Sequence, residues 1–85
     1  MGSYSVHLKR SATKEIEALP RKDRARIIER IRILSDDPRP AGSTKLSGRE
    51  VYRIRQGDYR IVYAVDDQDR VVMVTVVAHR RDAYR

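Results

Sequence analysis

The 85-residue chain contains no cysteine. Disulfides, thiolate metal sites and cysteine nucleophiles are therefore excluded. A chain this small without covalent staples fits a reducing compartment, so a cytoplasmic location is expected. No apolar run reaches the roughly 20 residues that cross a bilayer, and no membrane partner is expected. The start, Met1-Gly2-Ser3-Tyr4, lacks the apolar stretch of a secretion signal. Val6 stands where a myristoylation pattern needs Ser or Thr. No repeat, linker or low-complexity segment interrupts the chain, which reads as one domain over residues 1–85. Organised metal and nucleotide motifs are missing too. His7 and His79 have no companions at zinc-ligand spacing. Asp66-Asp67-Gln68-Asp69 lacks the glycine and distal glutamate of a calcium loop, and reads as a solvated turn. There is no glycine-rich phosphate loop and no glycine-framed serine turn. Neither a cofactor nor a metal is expected.

What the chain has is positive charge. Lys and Arg number 19 against 12 Asp and Glu, for a net +7. The sequence pI is about 10.2. Such a balance favours polyanionic partners, nucleic acid first and an acidic protein or membrane surface second.

Hydrophobic periodicity divides the chain into an N-terminal helical half and a C-terminal strand half. Tyr4, Val6 and Leu8 alternate with polar residues, which predicts a short strand. Ser11 offers an N-cap to a helix carrying Ala12, Ile16 and Leu19, stopped by Pro20. A second helix is predicted over residues 21–35, with Ile27, Ile28, Ile31, Leu34 and the stem of Arg24 as its apolar stripe. Lys22, Arg26, Glu29, Arg30 and Arg32 form its wet face. The near absence of a linker makes the two helices an antiparallel hairpin. Residues 38–48 read as a loop from Pro38, Pro40, Gly42, Ser43, Ser47 and Gly48. The period then becomes two, giving strands over 51–55, 59–65 and 71–78. The last is apolar on both faces apart from Thr75 and should lie centrally. The expected fold is α+β, in the order β-α-α-β-β-β, with the helical hairpin on one face of a small, mainly antiparallel sheet.

Alternation puts Arg53 and Arg55 on one face of their strand and Tyr52 and Ile54 on the other. An even hairpin loop brings Arg60 to the arginine side; an odd one sends it away. A two-residue Gln56-Gly57 loop pairs Arg53 with Arg60 and Arg55 with Asp58. The even loop also gathers Tyr52, Ile54, Tyr59 and Ile61 into an apolar face for the helices, so burial selects the register that clusters the arginines. Like charges directly opposite are destabilising, by up to about 1 kcal/mol, unless an anion belongs between them. The alternative is a ladder neutralised by Asp58, Glu50 or the Asp66/Asp67/Asp69 turn.

The strand half ends in His79-Arg80-Arg81-Asp82-Ala83-Tyr84-Arg85. Guanidinium forks bind phosphate in a bidentate manner, and neighbouring guanidiniums favour the Tyr84 phenolate below its usual pKa of ~10. RNA is cut without metal when its 2′-hydroxyl attacks the adjacent phosphorus. The step wants a base, cations around the phosphorane and an acid for the leaving oxygen. Arginine supplies the charge but carries protons poorly, which leaves Tyr84 and His79 as proton carriers.

The stretches Lys45-Leu46-Ser47-Gly48, then Tyr52-Arg53-Ile54-Arg55-Gln56-Gly57-Asp58-Tyr59-Arg60-Ile61-Val62-Tyr63, and Val77-Ala78-His79-Arg80-Arg81-Asp82-Ala83-Tyr84-Arg85 resemble the RelE/ParE toxin superfamily. The N-terminal half fits the same pattern, so the resemblance covers essentially the whole chain. It implies the toxin of a type II toxin–antitoxin system, an endoribonuclease that cleaves mRNA in the A site of the 70S ribosome. It also implies a cognate acidic antitoxin, and it allows a toxin–antitoxin heterotetramer. Carried over, the implied phosphate-binding residues are Arg53, Arg55 and Arg81, and the implied catalytic residues are Arg60, Arg80, Tyr84 and His79. Relatives often carry lysine at the second-strand positions; arginine at both raises the standing of His79 as general acid. The same superfamily holds ParE-type inhibitors of DNA gyrase. A basic nucleic-acid-binding module without activity is the third alternative.

Overall fold

The computed structural model describes residues 3–46 and 48–79. Arg80, Arg81 and Tyr84 lie outside the described residues. Strand β1 (Ser5–Leu8) leads into helices α1 (Arg10–Glu17) and α2 (Arg21–Ile33). Strands β2 (Thr44–Lys45), β3 (Val51–Gln56), β4 (Tyr59–Asp66) and β5 (Val71–His79) follow. They form one sheet in the order β1-β5-β4-β3-β2. Only the β1–β5 pair is parallel among the described residues. The sequence-based order of elements holds, with β2 added. Thr44 and Lys45 pair with Arg53 and Tyr52, inside the segment expected to be loop throughout. Two residues are too short for alternation to announce a strand.

Ser11 does not cap α1. The N-cap position is Lys9, without a side-chain cap bond. The reason lies in the sheet: the Lys9 N–H donates to Val74 O at 2.9 Å, which holds Lys9 extended, and the helix begins directly after it. Pro20 occupies the N-cap position of α2, where its missing N–H removes no helix bond.

The core is one cluster. Ala12, Ile16, Ile27, Ile31 and Leu34 from the helical hairpin meet Tyr52, Ile54, Ile61, Tyr63, Val65, Val72, Val74 and Val77 from the sheet. Ile28 does not belong to it. Ile27 is fully buried, whereas Ile28 is 45% exposed. At 3.6 residues per turn, the next residue lies about 100° round the helix, past the edge of the buried stripe. Arg30, expected on the wet face, is only half-exposed, and its Nε is buried. β5 has both flanks paired, as its apolar run predicts, but its alternation is broken. Val62 pairs with Val76 and Tyr63 with Val74, so Thr75 is the extra residue of a bulge. The Thr75 hydroxyl donates to Val62 O at 3.3 Å. Past the bulge, odd-numbered residues take over the helix side, which is why Val77 is buried while Val76 is exposed.

A polar clamp ties the segment after α2 to the β3 end of the sheet. Arg39 donates through Nε to the Tyr52 hydroxyl at 2.8 Å. It forms a two-pronged pair with Asp67, at 3.1 and 2.7 Å. The Tyr4 hydroxyl donates to Asp67 at 2.6 Å, and the Tyr52 hydroxyl donates to Glu50. Tyr63 stacks on Tyr52 at 5.9 Å and donates to Pro38 O at 2.7 Å. Burial pushes the Tyr63 phenol up to about 12. Hydrogen bonds from Arg39, and then from Tyr4, hold the Asp67 carboxyl down at about 2.

Two predictions follow from core and clamp. Ile27→Ala should destabilise the protein by about 2–5 kcal/mol in denaturant titration, through lost burial and a cavity. Ile28→Ala should stay within about 0.5 kcal/mol of the parent, as surface substitutions do. A carboxyl whose pKa is depressed by folding stabilises the protein fully above its ordinary value, 3.8, and loses that contribution as the pH falls to about 2. The melting temperature should therefore drop across that acid window, and Arg39→Met should flatten the drop while lowering stability at neutral pH.

Candidate nucleic-acid interface

The β3–β4 hairpin turns on Gly57 and Asp58, with Gln56 paired to Tyr59 and Arg55 to Arg60. Gly57 has φ +60°, the left-handed region required at the first central position of a type II′ turn. That requirement places the turn one residue later than the Gln56-Gly57 loop read from sequence. Arg53 consequently lies opposite Val62 rather than Arg60, and Arg55 opposite Arg60 rather than Asp58. The loop remains even, so the parity survives. Tyr52, Ile54, Ile61 and Tyr63 are buried under the helices, and Arg53, Arg55 and Arg60 share the other face.

The three arginines differ in setting. Arg55 is exposed and Arg53 half-buried. Arg60 is only 7% exposed, because β4 is the middle strand and Arg60 is flanked by Arg55 and Ala78 in register. A guanidinium keeps its charge even when buried, so the site holds a fixed cation with an exposed second cation directly beside it. Two guanidiniums opposite each other in register present forked donors of the kind that bind phosphate. Of the acidic groups expected to neutralise the ladder, Glu50, Asp66 and Asp67 make other contacts. Glu50 and Asp67 pair with Arg39, and Glu50 also lies 3.9 Å from Lys45. The Asp66 carboxylate accepts from the Asp69 N–H.

His79 is not on this face. The Thr75 bulge shifts it to the helix side, opposite Tyr59 in register. The two rings meet edge to face, with centroids 5.4 Å apart. The Tyr59 hydroxyl donates to Asp23 of α2 at 3.2 Å. Desolvation, and then the Asp23 charge, push the Tyr59 phenol upward. The structure therefore brings together Arg53, Arg55 and Arg60, and separates His79 from them by the thickness of the sheet. Arg80, Arg81 and Tyr84 fall outside the described residues. Among the described residues, no group of three or more His, Cys, Asp or Glu is placed to hold a metal, and no helix is long and apolar enough to cross a membrane. Sequence reasoning missed Tyr59 as the ring partner of His79, and Asp23 as the acceptor for the Tyr59 hydroxyl. The signal was faint: an acidic residue in the first turn of α2, and a bulge that alternation cannot register.

Comparison with known proteins agrees with the fold. Residues 6–84 match the model of a family described as the ParE toxin of type II toxin–antitoxin system, parDE. The chain is 32% identical to the toxin RelE of Mycobacterium tuberculosis, over 96% of this chain and 87% of that protein. It is similar to the structure of the archaeal RelE–RelB complex from Pyrococcus horikoshii, with TM-score 0.81 and 28% identity, covering 92% of this chain and 96% of that one. It is likewise similar to the intact E. coli RelBE toxin–antitoxin complex, with TM-score 0.80 and 25% identity, covering 91% and 96%.

If the arginine face binds a polyanion, affinity for single-stranded RNA falls as salt rises, with each phosphate contact adding roughly 0.7 to the slope of log K against log salt. Arg53→Ala and Arg55→Ala should each reduce that slope by about this amount. Arg32→Ala, on the exposed side of α2 and paired with Glu29, should leave it unchanged.

Proposed function

Because the chain belongs to the RelE/ParE family of toxins from type II toxin–antitoxin systems, we propose that it is an endoribonuclease that cuts mRNA in the ribosomal A site without a metal. The observation that carries this reading is the Arg55–Arg60 pair, a buried and an exposed guanidinium side by side on the open sheet face. In the proposed step, the 2′-oxygen bonds to phosphorus as the bond from phosphorus to the 5′-oxygen breaks. Arg60 and Arg80 stabilise the charge that develops on the phosphorane oxygens, while Arg53, Arg55 and Arg81 hold the flanking phosphates. Tyr84 takes the 2′-proton as its phenolate, and the leaving 5′-oxygen takes a proton from water. His79 is the reserve proton carrier, since an imidazole has both a donor and an acceptor nitrogen. Its seat on the helix side keeps Tyr84 ahead. Little in so small a site aligns the 2′-oxygen with the leaving group, so the ribosome supplies that alignment.

The partner in this reading is an acidic antitoxin segment, partly disordered until it folds on binding. The RelE–RelB assemblies among the similar structures support it. An apolar groove beside edge strand β1, lined by Leu8, Ile16, Ile28 and Ile31, offers a place for its apolar side chains. The name of the matched family favours a second reading, inhibition of DNA gyrase.

Primer extension on mRNA with and without programmed ribosomes tests the proposal. Cleavage should require the ribosome and leave 2′,3′-cyclic phosphate and 5′-hydroxyl ends. Arg60→Ala should lower the rate by about 100-fold or more, the scale of losing a transition-state donor, with a smaller loss of binding. Tyr84→Phe should abolish cleavage and His79→Ala should retain it. Products with 5′-phosphate ends contradict the mechanism. Intact mRNA together with blocked supercoiling in a gyrase assay moves the protein to the second reading.

A further inference from the structure

At the hairpin end of the sheet, on the helix side, lies a cavity of about 280 Å³. Asp23, Arg26, Gln56, Asp58, Tyr59 and His79 line it. The volume falls just under the roughly 300–1,000 Å³ of sites for drug-sized ligands, so it suits a single heterocycle rather than a whole nucleotide. Its charge runs against that of the chain. Two carboxylates face one guanidinium here, in a protein of net charge +7. A phosphate is disfavoured in such a place, and a group that donates hydrogen bonds is favoured. The Tyr59 hydroxyl holds one oxygen of Asp23 at 3.2 Å, which fixes the carboxylate and leaves its second oxygen as an acceptor. Tyr59 and His79, at an interplanar angle of 89°, form an aromatic corner. Unstacked bases pack on such rings.

Along the strands the cavity lies one ladder step beyond the Arg55–Arg60 pair, on the opposite side of the sheet. The Gln56–Tyr59 and Tyr59–His79 pairs directly follow Arg55–Arg60 and Arg60–Ala78 in the ladder. One step of strand is only about 3.3 Å. A chain whose phosphate rests on Arg55 and Arg60 reaches the cavity by turning over the Gly57-Asp58 end of the sheet.

We propose that this cavity receives one unstacked base of the bound RNA and selects a base with an exocyclic amine over uracil. Adenine, cytosine and guanine each present an amine that donates to a carboxylate. Uracil has no amine, and its one edge donor, N3–H, sits between two carbonyls that the Asp23 and Asp58 oxygens repel. The inference rests on the RNA-binding reading given above.

Fluorescence anisotropy of the full chain with labelled RNA nonamers separates the two claims. A uridine nonamer is compared with nonamers carrying one central adenosine, cytidine or guanosine, and with one carrying central purine riboside, which lacks the amine. All have the same number of phosphates. The amine-bearing nonamers should bind on the order of tenfold more tightly than the other two, the range of one good polar base contact. Asp58→Asn and Asp23→Asn, near-isosteric changes checked for folding by circular dichroism, should each shrink that difference and leave uridine affinity equal or improved. Equal affinity for every nonamer, each weakened by salt, overturns the base pocket while the arginine face stands. A preference that survives both substitutions also overturns it. Absence of binding to any nonamer at low salt overturns pocket and arginine face together.

Discussion

The register of the β3–β4 hairpin governs the two halves of this molecule at once. With a two-residue turn, Tyr52 and Ile54 on β3 and Ile61 and Tyr63 on β4 fall on the side that the helices cover. The same parity sends Arg53, Arg55 and Arg60 to the open side. A shift of one residue would put guanidiniums under α2 and tyrosines in water. Hydrophobic burial on one face thus holds together an arrangement of like charges on the other that would otherwise be unfavourable. Gly57 makes the turn possible, since φ +60° is open to glycine without strain. The Arg39 clamp, with its bonds to Tyr52, Asp67 and Glu50, ties the segment after α2 to the β3 side of the same sheet.

Parity was legible in the sequence because period two is strong in Val51-Tyr52-Arg53-Ile54-Arg55 and in Tyr59 to Val65. The helical hairpin was legible from its isoleucines and from Pro20. Three features were not, each for a physical reason. The position of the turn depends on which residue adopts positive φ, and that is a property of Gly57, not of alternation. The β2 strand is formed by two residues whose pairing is tertiary. The bulge at Thr75 leaves the composition of β5 unchanged yet moves His79 from the open face to the helix side. Reading His79 as a neighbour of the arginines assumed a regular ladder up to the last residue of the strand.

The bulge also divides labour between the two faces. Charge for phosphate gathers on the open side, at Arg53, Arg55 and Arg60. The polar, partly acidic cavity around Asp23, Tyr59 and His79 lies on the covered side of the same strand ends. Phosphates carry affinity without sequence information, and base contacts carry the information. A single sheet end with one kind of site on each side is suited to hold RNA by its backbone and sample one base.

The central claim is that RNA lies on the sheet face opposite the helices. The most direct test is arginine side-chain NMR of the intact protein titrated with single-stranded RNA. The Nε–H resonances of Arg53, Arg55 and Arg60 should shift together and saturate at one concentration, while those of Arg24 and Arg32 on α2 stay in place. Shifts confined to the α2 arginines, with Arg55 and Arg60 unmoved, would contradict the account.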